Sequence, residues 1–230
     1  MPKLFNEMEI SKSSKVLVLA PHPDDFDAIA VTLKIFRDKG NHIELAVISG
    51  AASGVEDSFC ENHPGMTKTE IREREQLDSC KFFGLPESQV SFLHLKEDET
   101  GAPIESEDNL EIMKTYIQKT KPDIAFMPHW NDTNAGHQRT YSMFKKIAKD
   151  MKIYLNRDPK TITMRQDIYT LFGEEDAKWK AELLRYHASQ HQRNLNTRAH
   201  GFDERILQVN RRIAKEGNCI APYAEVFEID

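Results

Sequence analysis

Cysteine is scarce in this chain. Cys60, Cys80 and Cys219 are the three in 230 residues, and none stands in a CxxC spacing. That leaves no disulfide framework and no thiolate-built metal site, and it fits thiols kept reduced in the cytoplasm. No apolar run approaches the roughly 20 residues a membrane span needs, and residues 1–14 carry no apolar core of signal-peptide length. A basic excess is missing too. The 31 Lys and Arg face 37 Asp and Glu, a net charge of −6, which argues against a nucleic-acid partner. The chain is long enough to bury a proper core, and it shows no internal repeat, low-complexity tract or linker, so a single domain over 1–230 is expected. Any metal site must then be built from histidine and carboxylate.

What is present centres on residues 16–27. Val16-Leu17-Val18-Leu19-Ala20 is an unbroken apolar run, the pattern of a strand buried on both faces. Pro21 and Pro23 end it, and His22, Asp24, Asp25 and Asp27 follow within six residues. A helix over 27–39 and a strand over 42–48 complete a βαβ unit, which implies a right-handed crossover and a parallel sheet. The polar cluster thus sits at the C-terminal end of a strand, where open α/β sheets place their ligand sites.

Further along, 49–67 is Gly- and Pro-rich and without period, the pattern of a functional loop bordering that cluster. A helix over 68–83 with a Leu77, Cys80, Phe82 and Phe83 stripe follows, then a strand over 90–95, a solvated loop over 96–109 and a helix over 110–120. The next buried strand, 124–127, is stopped by Pro128 and again leads into polar residues, His129 to His137, and a helix over 138–149. The remainder predicts β structure at 153–155 and 161–164, one long helix over 174–198 with Ala177, Ala181, Leu184, Ala188 and Leu195 along a face, a helix over 202–215 and a closing strand over 223–229.

Two strand ends therefore hold the ingredients of one site. A catalytic zinc takes three ligands from His and Asp or Glu and keeps one position open. His22 and Asp25, three apart at a strand-to-helix turn, can converge on one ion, and His137 can be the third ligand. Asp24 need not ligate and can serve as general base to a metal-activated water. Such a site also accepts other divalent transition metals. Each residue alone has a plainer role: His22 to Asp25 as a helix N-cap, His137 as a surface or capping histidine.

In this context Pro21-His22-Pro23-Asp24-Asp25 resembles the signature of the LmbE/PIG-L family of zinc-dependent N-deacetylases. Further similar segments follow in the same order: Arg72-Glu73-Arg74-Glu75 on a helix ending at Phe83-Gly84, Asp132 to His137, His187-Ala188-Ser189-Gln190, and Tyr223 to Phe227. The resemblance implies a Rossmann-like three-layer sandwich with a mostly parallel central sheet. It implies hydrolysis of an N-acetyl group on an amino sugar or sugar conjugate. It assigns His22, Asp25 and His137 as metal ligands, Asp24 as base, and Arg72 to substrate, with a surface ion pair to Glu75 or Glu73 as Arg72's other role. His187 and Gln190 face the site on this view and are otherwise helix surface. Members often self-associate, so a homo-oligomer is carried by the resemblance alone; no heptad or apolar patch here shows one.

Three positions depart from the family pattern. Asp27 stands for Glu, Gly136 for Asp, and Asn134 for a histidine that stabilises the oxyanion or protonates the leaving group. Asn134 can donate to an oxyanion but cannot protonate an amine, which leaves His129, His187 or Asp24 for that proton. Trp130, beside the site, offers a sugar a stacking face or simply packs under the loop. The expected set is thus Asp24, Asn134 and His187 catalytic, and Arg72, Trp130, His129 and Asp132 toward a small amino-sugar substrate. The alternatives are hydrolysis of another amide or N-formyl group, or a carbohydrate-binding relative without catalysis.

Overall fold

The computed structural model describes residues 3–149 and 151–230. A short edge strand, β1 (Lys3–Leu4), precedes β2 (Lys15–Ala20), on which the sheet is built. Val16, Val18 and Ala20 enter one core layer with Phe26, Leu33, Phe36 and Phe83. Leu17 and Leu19 enter the opposite layer with Met113, Met143 and Phe144. Successive side chains of a strand point to opposite faces, so an uninterrupted apolar run is what a strand covered on both sides requires.

The chain continues through α1 (Ala30–Asp38), β3 (His42–Val47), a short α2 (Asp57–Cys60), α3 (Lys68–Phe83), β4 (Val90–Phe92), α4 (Glu107–Thr120), β5 (Ile124–Pro128) and α5 (Ala135–Ile147). It closes with β6 (Lys152–Asn156), β7 (Ile168–Phe172), α6 (Glu174–Arg185), α7 (Ala188–Arg198), α8 (Phe202–Glu216) and β8 (Tyr223–Ile229). The eight strands form one sheet in the order β1-β7-β8-β6-β5-β2-β3-β4. β8 runs antiparallel to β6 and β7, and the other pairings are parallel. The expected mostly parallel α/β sandwich is therefore the observed one. No described helix is long and apolar enough to cross a membrane.

From β2 the chain moves outward to β3 and β4, then returns to place β5 on the other side of β2, with Val18 opposite Phe126. The sheet order reverses there, and the segments after β2 and β5 flank the resulting crevice.

Several boundaries differ from the sequence expectation. The lead-in contributes β1, paired with β7. Residues 27–29 form a 3-10 turn before α1, the strand expected over 90–95 stops at Phe92, and α4 and α5 each begin three residues early, at Glu107 and Ala135. The loop 49–67 holds a 3-10 turn at 52–54 and α2. Thr161 to Met164 is not a strand. Thr161 makes an isolated bridge to Asp132, and the Ile162 N–H donates to the Asn131 carbonyl, so this segment braces the loop after β5 instead.

The helix expected over 174–198 breaks at Tyr186-His187, and Ala188 and Leu195 are exposed. The break has a long-range cause. Glu75 of α3 accepts from the Ser189 N–H at 2.6 Å and from the Ser189 hydroxyl at 2.7 Å, which captures a fresh helix N-terminus. The stripe expected on α3 is also rotated. Cys80 and Phe83 are buried, Leu77 and Phe82 only half-buried, and the inward face carries Arg72, Glu75, Gln76 and Ser79.

One buried ion pair fixes the turn after β2. Glu225 of β8 accepts the Val31 and Thr32 N–H groups at the start of α1, at 3.1 and 2.8 Å. Lys180 of α6 donates to Glu225 at 2.6 Å, to Asn210 at 3.0 Å and to the Ala28 carbonyl. Burial pushes the Lys180 amine below its ordinary pKa, and the Glu225 carboxylate opposes that push. Removing one partner of such a pair strands the other charge. Lys180→Met is expected to cost about 3–5 kcal/mol of stability, measured by urea unfolding.

Candidate active site

The crevice opens into a cavity of about 390 Å³ lined by His22, Asp24, Asp25, Asn134, Gly136 and His137, among others. Candidate ligand atoms of His22, Asp25 and His137 all lie within 4.8 Å of one another. His22 Nδ1 is 3.3 Å from Asp25 Oδ2, and His137 Nε2 is 3.5 Å from Asp25 Oδ1. The His22 N–H donates to the same carboxylate at 2.8 Å and holds it in place. Burial works against charge on Asp25, yet the two imidazoles keep its carboxyl far below the usual carboxylate range. Burial likewise opposes a proton on His137, and Asp25 and Asp132 together raise its pKa well above the ordinary value. Two imidazoles and a carboxylate at this spacing, facing a cavity, are a donor set that suits a divalent transition metal.

Asp132 is fully buried behind His137, 3.3 Å from Nδ1, and accepts the Asn134 N–H at 2.6 Å. It orients the imidazole from behind. Asp158 completes a second cluster with Asp132 and His137. Burial pushes its carboxyl up to about 6 against the pull of His137, with Asp132 and Asp25 adding to the rise. Nothing in the pattern around Asp158 singled it out, because its link to the site is purely spatial.

Asp24 has φ +109°, a conformation non-glycine residues rarely adopt. α3 holds it there. The Asp24 N–H donates to Gln76 Oε1 at 2.9 Å, and Arg72 Nη2 donates to the Asp24 carboxylate at 2.8 Å and to the Pro23 carbonyl. Strain of this kind persists only where the surroundings over-determine it. Arg72 is buried, lines the cavity beside Asp24, and has Nη1 3.9 Å from Glu75.

Four expected positions lie outside the cavity lining. His187 is fully buried and does not border the cavity; its Nε2 lies 2.6 Å from Asp27. Gln76 and Ser79 also donate to Asp27, so the shorter carboxylate is met by three partners. His129 is buried outside the cavity, its Nε2 3.2 Å from Glu228 and its Nδ1 accepting the Asn131 N–H. Trp130 is 46% exposed, stacked on His129 and near Tyr141, away from the cavity. Asp132 sits behind His137, outside the cavity lining. Gln190 does line the cavity, donating to the Gly54 carbonyl at 2.9 Å.

Residues 17–148 match the family model described as PIG-L: GlcNAc-PI de-N-acetylase, and the chain belongs to this family. Among solved structures it is similar to N,N'-diacetylchitobiose deacetylase from Pyrococcus horikoshii, at TM-score 0.74 and 17% identity over 95% of this chain and 84% of that one. A deacetylase of teicoplanin biosynthesis aligns at TM-score 0.70 and 13% identity over 94% and 98%. The 4-carboxy-2-hydroxymuconate hydratase GalB from Pseudomonas putida KT2440 aligns at 0.61 and 14% over 94% and 95%. These likenesses establish the fold, and a hydratase among them shows that the fold by itself does not fix the reaction. No curated protein matches the chain by sequence.

Two outcomes follow from this geometry. A Cβ on Gly136 would lie 2.7 Å from His22 Nε2, so Gly136→Ala must turn the imidazole away. Its metal affinity should fall about tenfold or more, read by competition with a chelator. His187 has its pKa raised: burial opposes the proton, and Asp27 outweighs it. Stability from this pair is therefore complete below about pH 6.5, the unfolded value, and is lost as pH rises through the folded one. The unfolding free-energy difference between the native chain and His187→Gln should be largest below that pH and shrink above it, at constant metal.

Proposed function

We propose that this chain is a metal-dependent N-deacetylase acting on an amino sugar or a sugar conjugate. The observation that carries it is the convergence of His22, Asp25 and His137 at one cavity together with the strained, Arg72-held carboxylate of Asp24. A divalent ion held by those three residues would polarise an amide carbonyl and acidify water, and zinc fits their donor set. Asp24 takes the proton of the attacking water. Arg72 fixes its orientation and belongs to the positioning of the base. Asn134 lines the cavity with its side-chain oxygen bound to the Gly136 N–H at 2.9 Å, which turns the amide NH₂ into the donor for the tetrahedral oxyanion.

The departing nitrogen needs a proton. His129 and His187 both lie outside the cavity lining, so Asp24 returns the proton it has taken, and amine and acetate leave. His187 acts on Asp24 only at a distance, through the Asp27, Gln76 and Arg72 cluster.

Metal-loaded protein incubated with N-acetylglucosamine conjugates should release acetate and free amine. Asp24→Asn should lower kcat about 10²-fold or more with metal content unchanged. Formate from an N-formyl substrate in place of acetate would move the assignment to another amide. No product from any N-acylated sugar would overturn it.

A further inference from the structure

Asp24 lies between two peptide units, and different parts of the molecule fix each one. The unit after it is fixed by the turn itself. The Asp24 carbonyl accepts the Asp27 and Ala28 N–H groups at 3.1 and 3.2 Å. The unit before it, Pro23–Asp24, is fixed from α3. Arg72 donates to its carbonyl, and Gln76 Oε1 accepts its N–H at 2.9 Å. The φ of Asp24 describes the rotation of this preceding unit about the N–Cα bond. A peptide gripped at both ends cannot swing back to the negative φ that an L residue prefers.

The two grips are not equivalent. One nitrogen of Arg72, Nη2, serves the Pro23 carbonyl and the Asp24 carboxylate together. The Asp24 N–H is left to Gln76 alone among the described residues. A backbone N–H needs an acceptor, and the end of an amide carrying NH₂ is none. Asp27 decides which end of Gln76 turns inward. The Gln76 NH₂ donates to Asp27 Oδ2 at 3.1 Å, and a carboxylate takes only donors. Asp27 is held in turn by the Ser79 hydroxyl and by His187 Nε2 at 2.6 Å. Gln76 is fully buried, so solvent does not compete for either end. Burying an amide costs stability unless its groups are bonded. Here the amide bridges two residues of the one turn that carries the strained carboxylate.

Resting on the N-deacetylase reading, we propose that Gln76 is a positioning residue for the reaction: its amide, aimed by Asp27, keeps the Asp24 carboxylate where the attacking water meets it. Gln76 does not line the cavity and acts through Asp24. Without it, Arg72 still holds a carboxylate oxygen but not the backbone from which that carboxylate projects.

Gln76→Met keeps the side chain's bulk and removes both hydrogen bonds. Gln76→Asn keeps an amide too short to span Asp24 and Asp27. With metal-loaded protein and N-acetylglucosamine conjugates, each should lower kcat roughly 10²-fold, with KM and metal affinity nearly unchanged. A side chain that merely packed would shift urea unfolding and leave the kcat of the folded protein intact. Gln76→Glu should rescue. With its proton on, the introduced carboxyl accepts from the Asp24 N–H and donates to Asp27; with its proton off, it faces Asp27 as a second carboxylate. Its kcat relative to the native chain should therefore fall as pH rises. A crystal structure of Gln76→Met, or of Gln76→Asn where the first does not fold, gives a readout without turnover: Asp24 should leave positive φ. That shift, with no amine released by the native chain from any N-acylated sugar, would sink the hydrolase reading and keep the positioning role. With native turnover present, Asp24 still at positive φ or an unchanged kcat in either variant would sink the role of Gln76 and keep the hydrolase. No turnover and an unmoved Asp24 would end both.

Discussion

β2 and β5 lie side by side and run the same way, and the chemistry of this protein depends on that pairing. Their hydrogen-bonded register sets the ends of both strands at one rim of the sheet. His22 and Asp25 leave from one end and His137 from the other, and more than a hundred residues of intervening chain are spent on building β3, β4 and the helices that cover them. A slip of one residue in that register would turn every buried side chain of β2 to the wrong layer. The two-sided apolar run that resists such a slip is therefore also what holds His22, Asp25 and His137 in common reach.

A second requirement is that the turn between β2 and α1 stay in an unfavourable shape. Asp24 at φ +109° would relax if left to itself. The inward face of α3 prevents this with polar groups where a helix ordinarily places leucines. Gln76 and Arg72 grip Asp24, Gln76 and Ser79 hold Asp27, and Glu75 captures the start of α7. From the far side Lys180 and Glu225 seize Ala28 and the first amides of α1. Burying these charges costs stability unless each finds its partner. What the arrangement secures is a carboxylate and two imidazoles already in place before substrate arrives, and preorganised polar groups do more for a transition state than groups that must be collected.

The parts of this plan that local pattern can carry were legible. An apolar run stopped by proline announces a buried strand and its end, and it did so at Val16 and again at Ile124. The meeting of the two polar segments could be inferred from topology. What escaped was set by distant partners. No glycine or proline marks the break at Tyr186-His187, because a carboxylate more than a hundred residues away makes it. Trp130 stands next to the site in sequence, but its neighbours are His129 and Tyr141. The α3 stripe misled because apolar spacing identifies the inward face only when the inward neighbours are apolar.

The three departures from the family pattern bear on whether the site is intact or decaying. In a decaying site they would be independent, and each would leave an unmet group. Here each is matched. The shorter Asp27 is reached by His187, Gln76 and Ser79. Gly136 removes a side chain from a place where the His22 imidazole would be struck at 2.7 Å, and the carboxylate behind His137 comes from Asp132. Asn134 caps α5 with its oxygen while lining the cavity. A protein that only bound sugars would have no reason to hold Asp24 in a strained backbone with a buried arginine, since relaxing it would gain stability at no loss of binding. On the proposed reading, the strain keeps at one fixed place the carboxylate that takes a proton and gives it back.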